Sequence, residues 1–381
     1  MKAILLAHGS AGGGHRSAAY ALKSGLENSL SQSRDAGGCN IIMADALSFG
    51  SPAFRLSYGR GYELAARQMR WLVKSIYSLT DKAGAESRLV DCIEAGTAQK
   101  ISPLLTLINE NQVNLVCCTH FLPMAMLARR RRKGDFKGAL HVCVTDYQVH
   151  GFWADSEVDR YYVAGSEAAR RLADFGVDPA RVQVTGIPAR PEFGRSGARP
   201  GRHNGRLKIL FSASSLKKAE CLGVLKEIEA GGCPAEITVV AGRGHNLTKM
   251  LESLDIAPRI EIILKGYVAD MEKLMGASDL LITKPGGVIC TEALCAGLPM
   301  LLVAPIPKHE IFNAQIMAGR GAGLICFDRG GIKKALSELD KNRDRLELMS
   351  RACQSYARPG ASADISRRLL AAAAEGADGA L

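Results

Sequence analysis

The sequence predicts an α/β protein built from two doubly wound domains, and three observations carry that expectation. Short apolar runs with strand character alternate with helical stretches, the pattern of layers around a mostly parallel sheet. The alternation breaks at residues 190–206, "RPEFGRSGARPGRHNGR", a Gly-, Pro- and Arg-rich stretch without periodicity that reads as a linker. A glycine turn between a strand and a helix occurs on each side of that break. The 381 residues exceed a typical single domain, which also favours two.

Taken in order, the first half predicts strands at residues 3–7, 41–45, 115–119, 141–145, 160–164 and 182–185. Its first helix follows the glycine loop, at about residues 17–30. The second half predicts strands at residues 208–211, 236–240, 260–264, 279–283, 300–303 and 324–326. The expected domains are residues 1–195 and 207–360, joined by a linker at 196–206 and followed by a helix and tail at 361–381. Residues 52–80 are rich in Arg, Tyr, Trp and Leu and interrupt the strand–helix rhythm.

Bulk composition narrows the function classes. No uninterrupted apolar run reaches 18 residues, so no membrane-spanning helix is expected. The start "MKAILLAHGSAGGGH" reads as a strand and a glycine loop rather than a signal peptide, which suggests a cytoplasmic protein. The 11 cysteines are scattered, with no CxxC pair and no zinc spacing, and read as small buried hydrophobes. The net charge of +11 suits nucleic acid, an anionic membrane surface or phosphorylated substrates. No helix-turn-helix, RNP or zinc-finger pattern is present, so no nucleic-acid partner is expected. The densest basic run is Arg129, Arg130, Arg131, Arg132 and Lys133. Two readings of it stay open: a solvated helix end favoured by the helix dipole, or a contact to membrane or phosphate.

Three segments carry candidate chemistry. "AHGSAGGGHRSAA" joins the first strand to the first helix through Gly12, Gly13 and Gly14. Glycines let a ligand approach the backbone, and a helix N-terminus offers unpaired N–H groups to an anion. His15, at the helix start, is either a loop or cap histidine, or a base or phosphate contact. "SDLLITKPGGVICTEALCAGLP" repeats the arrangement with Gly286 and Gly287. Glu292, about one turn into that helix, is either an acid favoured by the helix dipole or a reader of a ribose diol. "APIPKHEIFNAQ" ends the next strand, where His309, Glu310 and Asn313 are either ordinary helix-start residues or donors and acceptors for sugar hydroxyls. Together the three segments describe a nucleotide-sugar site between two Rossmann-like domains.

At this point the residues resemble a known family. "TKPGGVICTEALCAGLPMLLVAPIPKHEIFNAQIMAGRGAG" resembles the donor-binding motif of the MurG-like, GT28-type glycosyltransferases. "VTDYQVHGFWADSEVDRYYVAGSEAARRLADFGVDPARVQVTGIPARPEF" and "GGGHRSAA" are similar to the branch of diacylglycerol glucosyltransferases and monogalactosyldiacylglycerol synthases. The resemblance covers most of residues 1–330. It implies a GT-B fold with two Rossmann-like doubly wound domains facing a central cleft. It also implies inverting transfer of a hexose from UDP-glucose or UDP-galactose to a lipid hydroxyl such as that of diacylglycerol, with no metal or other cofactor in the active site.

By matching position, the resemblance makes Glu292 the ribose contact and turns Gly286 and Gly287 toward the diphosphate. Arg190 pairs with a phosphate, and Tyr267 and Val268 border uracil. His309, Glu310 and Asn313 lie near the donor sugar or its phosphates. His15, with Gly12, Gly13 and Gly14 before it, forms the acceptor side as candidate base. Asp146 of "VTDY" is the alternative or partner acid. Residues 52–80 fall where such enzymes meet lipid. Phe54, Tyr58 and Trp71 among Arg67 and Arg70 suit an interfacial helix on the inner face of the cell membrane; a core helix with a basic outer side is the other reading. One departure stands out. The strand "LKILF" is followed by Ser212-Ala213-Ser214-Ser215, where the family usually carries a glycine-rich turn. Ser212 and Ser214 are then the candidate phosphate contacts. A different acceptor, or a catalytically silent nucleotide-sugar-binding protein, are the alternatives.

Overall fold

A computed structural model describes residues 2–9, 13–32, 38–49, 81, 102–196, 205–242, 257–304 and 308–378. Gly12 and the membrane candidates Phe54, Tyr58, Arg67, Arg70 and Trp71 lie outside the described residues. The chain forms two compact units, one of residues 1–190 with 360–381 and one of residues 191–359.

The first unit holds strands β1 (Lys2–His8), β2 (Cys39–Asp45), β3 (Leu115–Cys118), β4 (Ala139–Cys143), β5 (Arg160–Val163) and β6 (Val182–Val184). They form one sheet in the order β2-β1-β3-β4-β5-β6, with every pairing parallel. Parallel strands need covered faces, and the sequence supplies apolar residues to both. Ala3, Leu5 and Ala7 of β1 join one core with Met124 and Leu127 of helix α3 (Phe121–Arg132). Ile4 and Leu6 join the other, with Leu22 and Leu26 of helix α1 (Gly13–Gln32). Helix α2 (Ser102–Glu110) precedes β3, and helix α4 (Ser166–Asp174) follows β5.

The C-terminal helix packs on this first unit. Ile365 and Leu369 complete the core under α1 and β1. The Ser362 and Ser366 hydroxyls donate to the carbonyls of Ala21 and Leu22, at 2.6 and 3.3 Å. Gly25 makes the close crossing possible, because a Cβ there would lie 2.6 Å from the Ser366 hydroxyl oxygen.

The second unit begins with the short helix α5 (Glu192–Ser196) and holds strands β7 (Leu207–Ser212), β8 (Ala235–Val240), β9 (Ile260–Lys265), β10 (Leu280–Thr283), β11 (Met300–Val303) and β12 (Gly323–Cys326). The order is β12-β11-β10-β7-β8-β9, again all parallel. Its helices are α6 (Lys218–Ala230), α7 (Met271–Gly276), α8 (Gly287–Ala296), α9 (Lys308–Gly319), α10 (Arg329–Lys341) and α11 (Asp344–Tyr356), leaving the C-terminal helix as α12 (Ala361–Asp378).

All twelve expected strands are present at the positions read from the sequence. In each sheet the chain reverses its direction of growth once: between β1 and β3 in the first unit, and between β7 and β10 in the second. Ligands of such sheets bind outside the carboxyl ends of the strands at this switch point.

The basic run at residues 129–133 has a structural role in the fold. It closes the last turn of α3, and three of its arginines pair with acids. Arg130 pairs with Asp135 at 3.2 Å, Arg131 with Asp159 at 2.6 Å and Arg132 with Asp155 at 2.8 Å. The ten described cysteines are all free, and nine are buried. Burial alone pushes the Cys117 thiol up to about 12, which makes it inert. No helix among the described residues is long and apolar enough to cross a membrane.

Candidate active site

The first switch point collects histidines. His8 ends β1, and His120 follows β3 as the N-cap of α3, its Nδ1 accepting the Leu122 N–H at 3.1 Å. His15 lies in the first turn of α1. The His15 and His120 rings meet edge to face with centroids 4.6 Å apart. Gly9 permits this packing, since a Cβ there would lie 3.0 Å from the His120 ring. Stacking continues from His120 to Phe121 and on to Phe152, at 4.6 and 5.2 Å, so the loops after β3 and β4 brace each other.

Nδ1 of His15 lies 2.8 Å from the Thr119 carbonyl oxygen and 2.9 Å from the Thr145 hydroxyl oxygen. A carbonyl accepts and never donates, so the neutral ring carries its proton on Nδ1 and its basic lone pair on Nε2. The Thr119 hydroxyl in turn donates to the His15 carbonyl at 2.9 Å. His8 and His120 are buried, and burial, ahead of their charged neighbours, holds both imidazoles below the ordinary histidine value. His8 Nδ1 is buried without a hydrogen-bond partner among the described residues. Asp146 is half-buried in the loop after β4, and Gly13 and Gly14 open α1. Arg190, half-buried, is where the chain leaves the first unit for the second.

The second switch point gathers the donor candidates. Strand β10 ends at Thr283, and the Lys-Pro-Gly-Gly turn leads into α8, with Gly286 as its N-cap. The first N–H groups of that helix have no acceptor within it, so they face the turn as donors with the positive end of the dipole behind them. Glu292 is half-buried on the same helix, beyond the first turn. The turn is held from α9. The Lys284 ammonium pairs with Glu310 at 3.1 Å, and the Asn313 amide donates to the Pro285 carbonyl at 3.0 Å.

Asn313 is 0% exposed, and its amide donates to the turn. Glu310 acts first on Lys284, while His309 remains half-buried at the start of α9. Tyr267 is exposed just beyond β9, and Val268 beside it is half-buried.

At the departure after β7, Ser212 is buried and Ser214 exposed. The glycine that this corner needs sits on the neighbouring strand's exit. Gly242 adopts φ +73°, and a Cβ there would lie 2.8 Å from the Ser214 Cβ. The loops after β7 and β8 therefore approach each other closely.

Sequence reasoning missed His8, Thr119, His120, Thr145, Lys284 and Gly242. Five of them follow or end a predicted strand, and that position was the available signal. Gly242 was hidden because its demand is set by a residue 28 positions earlier, Ser214.

Two parallel six-stranded sheets with polar clusters at both switch points define a GT-B-type α/β protein. Solved structures agree on the fold. MurG of Acinetobacter baumannii superposes with a TM-score of 0.62 at 16% identity, over 97% of this chain and 100% of that one. The UDP-GlcNAc 2-epimerase of Neisseria meningitidis, bound to UDP-GlcNAc, gives 0.61 at 13%, over 97% and 100%. The family model of monogalactosyldiacylglycerol (MGDG) synthase matches residues 15–189, and that of the glycosyltransferase family 28 C-terminal domain matches residues 216–365. The two matches lie one in each half of the chain and together cover most of it. Curated relatives carry the name processive diacylglycerol beta-glucosyltransferase. That of Bacillus subtilis (strain 168) is 30% identical over 64% of this chain and 65% of its own length. That of Bacillus pumilus (strain SAFR-032) is 31% identical over 61% and 62%. The matched part thus spans just under two thirds of these relatives.

Proposed function

We propose that the chain moves a hexose from a UDP-sugar to the hydroxyl of diacylglycerol, with inversion at the anomeric carbon. What supports this reading is a polar cluster at the switch point of each unit, His15 with Thr119 and Thr145 in the first and the Lys-Pro-Gly-Gly turn at the α8 N-terminus in the second. The name of the Bacillus relatives favours glucose as the sugar, while the match to monogalactosyldiacylglycerol synthase favours galactose.

In this reading the second unit binds the donor. The α8 N-terminus takes the diphosphate, Glu292 the ribose diol, and Tyr267 and Val268 the uracil. His309 and the Lys284–Glu310 pair lie toward the sugar and phosphates. His15 Nε2 takes the proton of the acceptor hydroxyl. The oxygen then bonds to the anomeric carbon as the bond from that carbon to the phosphate oxygen breaks, and UDP leaves with the electron pair. The α8 dipole, Ser212, Ser214 and Arg190 take up the developing charge, so the reaction is proposed to need no metal. Asp146 supports the base from the loop after β4. Because diacylglycerol resides in a bilayer, the proposed location is peripheral, on the inner face of the cell membrane.

The test is product analysis. Protein incubated with UDP-glucose or UDP-galactose and vesicles containing diacylglycerol should yield a monohexosyl lipid whose β-linkage shows in its anomeric coupling constant. An α-linked product would overturn the inverting mechanism, and a hexosylated product only from a water-soluble acceptor would overturn the lipid one.

A further inference from the structure

We propose that Thr145 is a positioning residue that, with the Thr119 carbonyl, fixes the tautomer and ring orientation of His15. The inference rests on the reading of His15 as the base. It goes beyond that reading by naming what prepares the base and why the preparation is distributed over three strand ends.

A histidine can serve as a base only if the nitrogen facing its substrate lacks a proton, and the free imidazole exchanges freely between tautomers. Two oxygens around one nitrogen remove that freedom here. The Thr119 carbonyl lies 2.8 Å from His15 Nδ1 and the Thr145 hydroxyl oxygen 2.9 Å from it. The carbonyl draws the proton to Nδ1. The Thr145 oxygen is the second acceptor on the same N–H, reached from the exit of the neighbouring strand β4. One acceptor leaves the ring free to swing off that bond and exchange its proton to Nε2; two from different strands hold both its plane and its tautomer. Both threonines are buried, at 0% and 3% exposure, so water does not compete for the shared proton.

The remaining walls of the clamp come from the same strand ends. His120 meets the His15 ring edge to face, and Gly9, after β1, leaves the room that the His120 ring occupies. The Thr119 hydroxyl fastens the His15 main chain at 2.9 Å. When His15 accepts a proton, both oxygens face the resulting cation and stabilise it without rearrangement. This is how outer partners commonly orient a working histidine.

The experiment reads the ring directly in ligand-free protein, so it does not depend on the reaction assigned above. Long-range proton–nitrogen NMR spectra of the His15 ring are recorded for the wild type, Thr145→Val and Thr145→Ser, alongside transfer rates with UDP-sugar and diacylglycerol vesicles. The wild type should show the Nδ1–H form. Thr145→Val, nearly equal in shape, should show a mixed tautomer, and its kcat should fall by about 10-fold to 100-fold, part of what a general base contributes. Its KM for the donor should stay unchanged, and Thr145→Ser should restore both readouts. A wild-type ring protonated on Nε2 would overturn the proposal without any variant. So would an unchanged tautomer in Thr145→Val, or a serine variant as impaired as valine. A tautomer that shifts while transfer rates hold would overturn His15 as the base, the reading this inference rests on.

Discussion

His141 shows at the scale of one residue how the first unit responds to acid. It sits on β4, 3% exposed, with its Nδ1 3.1 Å from the Tyr162 hydroxyl. Burial is the main cause that lowers its pKa from 6.5 to about 4. The folded ring therefore stays neutral at pH values where the unfolded one takes a proton. Stability is fully present above pH 6.5 and is lost as the pH falls toward 4, by about 3 kcal/mol in all. His8 and His120, also lowered by burial, add in the same direction. Urea unfolding at several pH values should show this loss, and His141→Gln should blunt it. A variant that loses as much on acidification as the wild type would assign the effect elsewhere. The identity of the candidate base was legible in the sequence as "GGGH" before a helix. Its tautomer was not, because it depends on Thr119 and Thr145, which lie more than 100 residues away.

The helices and turns explain two things that residue lists do not. The C-terminal helix α12 crosses α1 at Gly25, where a Cβ would lie 2.6 and 2.7 Å from the Ser366 and Ser362 hydroxyl oxygens. Gly25→Ala should cost about 1–3 kcal/mol by overpacking. The cost should shrink in a Ser362→Ala, Ser366→Ala background, and equal costs in both backgrounds would contradict the crossing described. The basic end of α3 makes the second case. Arg132→Gln leaves Asp155, whose side chain is 3% exposed, without its cation, and should lower stability by about 1–3 kcal/mol. Binding to anionic vesicles should not change, since the charge is already paired with Asp155. A large loss of vesicle binding with full stability would restore the membrane reading. Sequence alone left the two readings of this run equal because the acids that decide it, Asp155 and Asp159, lie on the β4–β5 connection. In the same way, "HEIFN" announced polar chemistry but not that Asn313 would be fully buried on the Pro285 carbonyl. Which side of α9 faces the turn is set by packing, not by its residue order.

For the whole molecule, the layout was the most legible part. Twelve apolar runs became twelve parallel strands because buried parallel strands read as continuous apolar segments. The docking of α12 on the first unit was invisible, since it depends on a return of more than 300 residues in the chain. The switch points follow from that topology: each gathers polar residues, histidines in one unit and the Lys-Pro-Gly-Gly turn in the other. The central claim is that the second cluster holds a UDP-sugar for transfer to lipid. The most direct measurement is UDP release from UDP-glucose and UDP-galactose, with and without diacylglycerol vesicles, for the wild type and Glu292→Ala. The account predicts vesicle-dependent release with one donor favoured, and a fall of about 10-fold or more in kcat/KM once the ribose contact is removed, on the scale of a lost hydrogen bond to a charged group. Release that ignores the vesicles, or a Glu292→Ala variant that turns over the donor as well as the wild type, would contradict it.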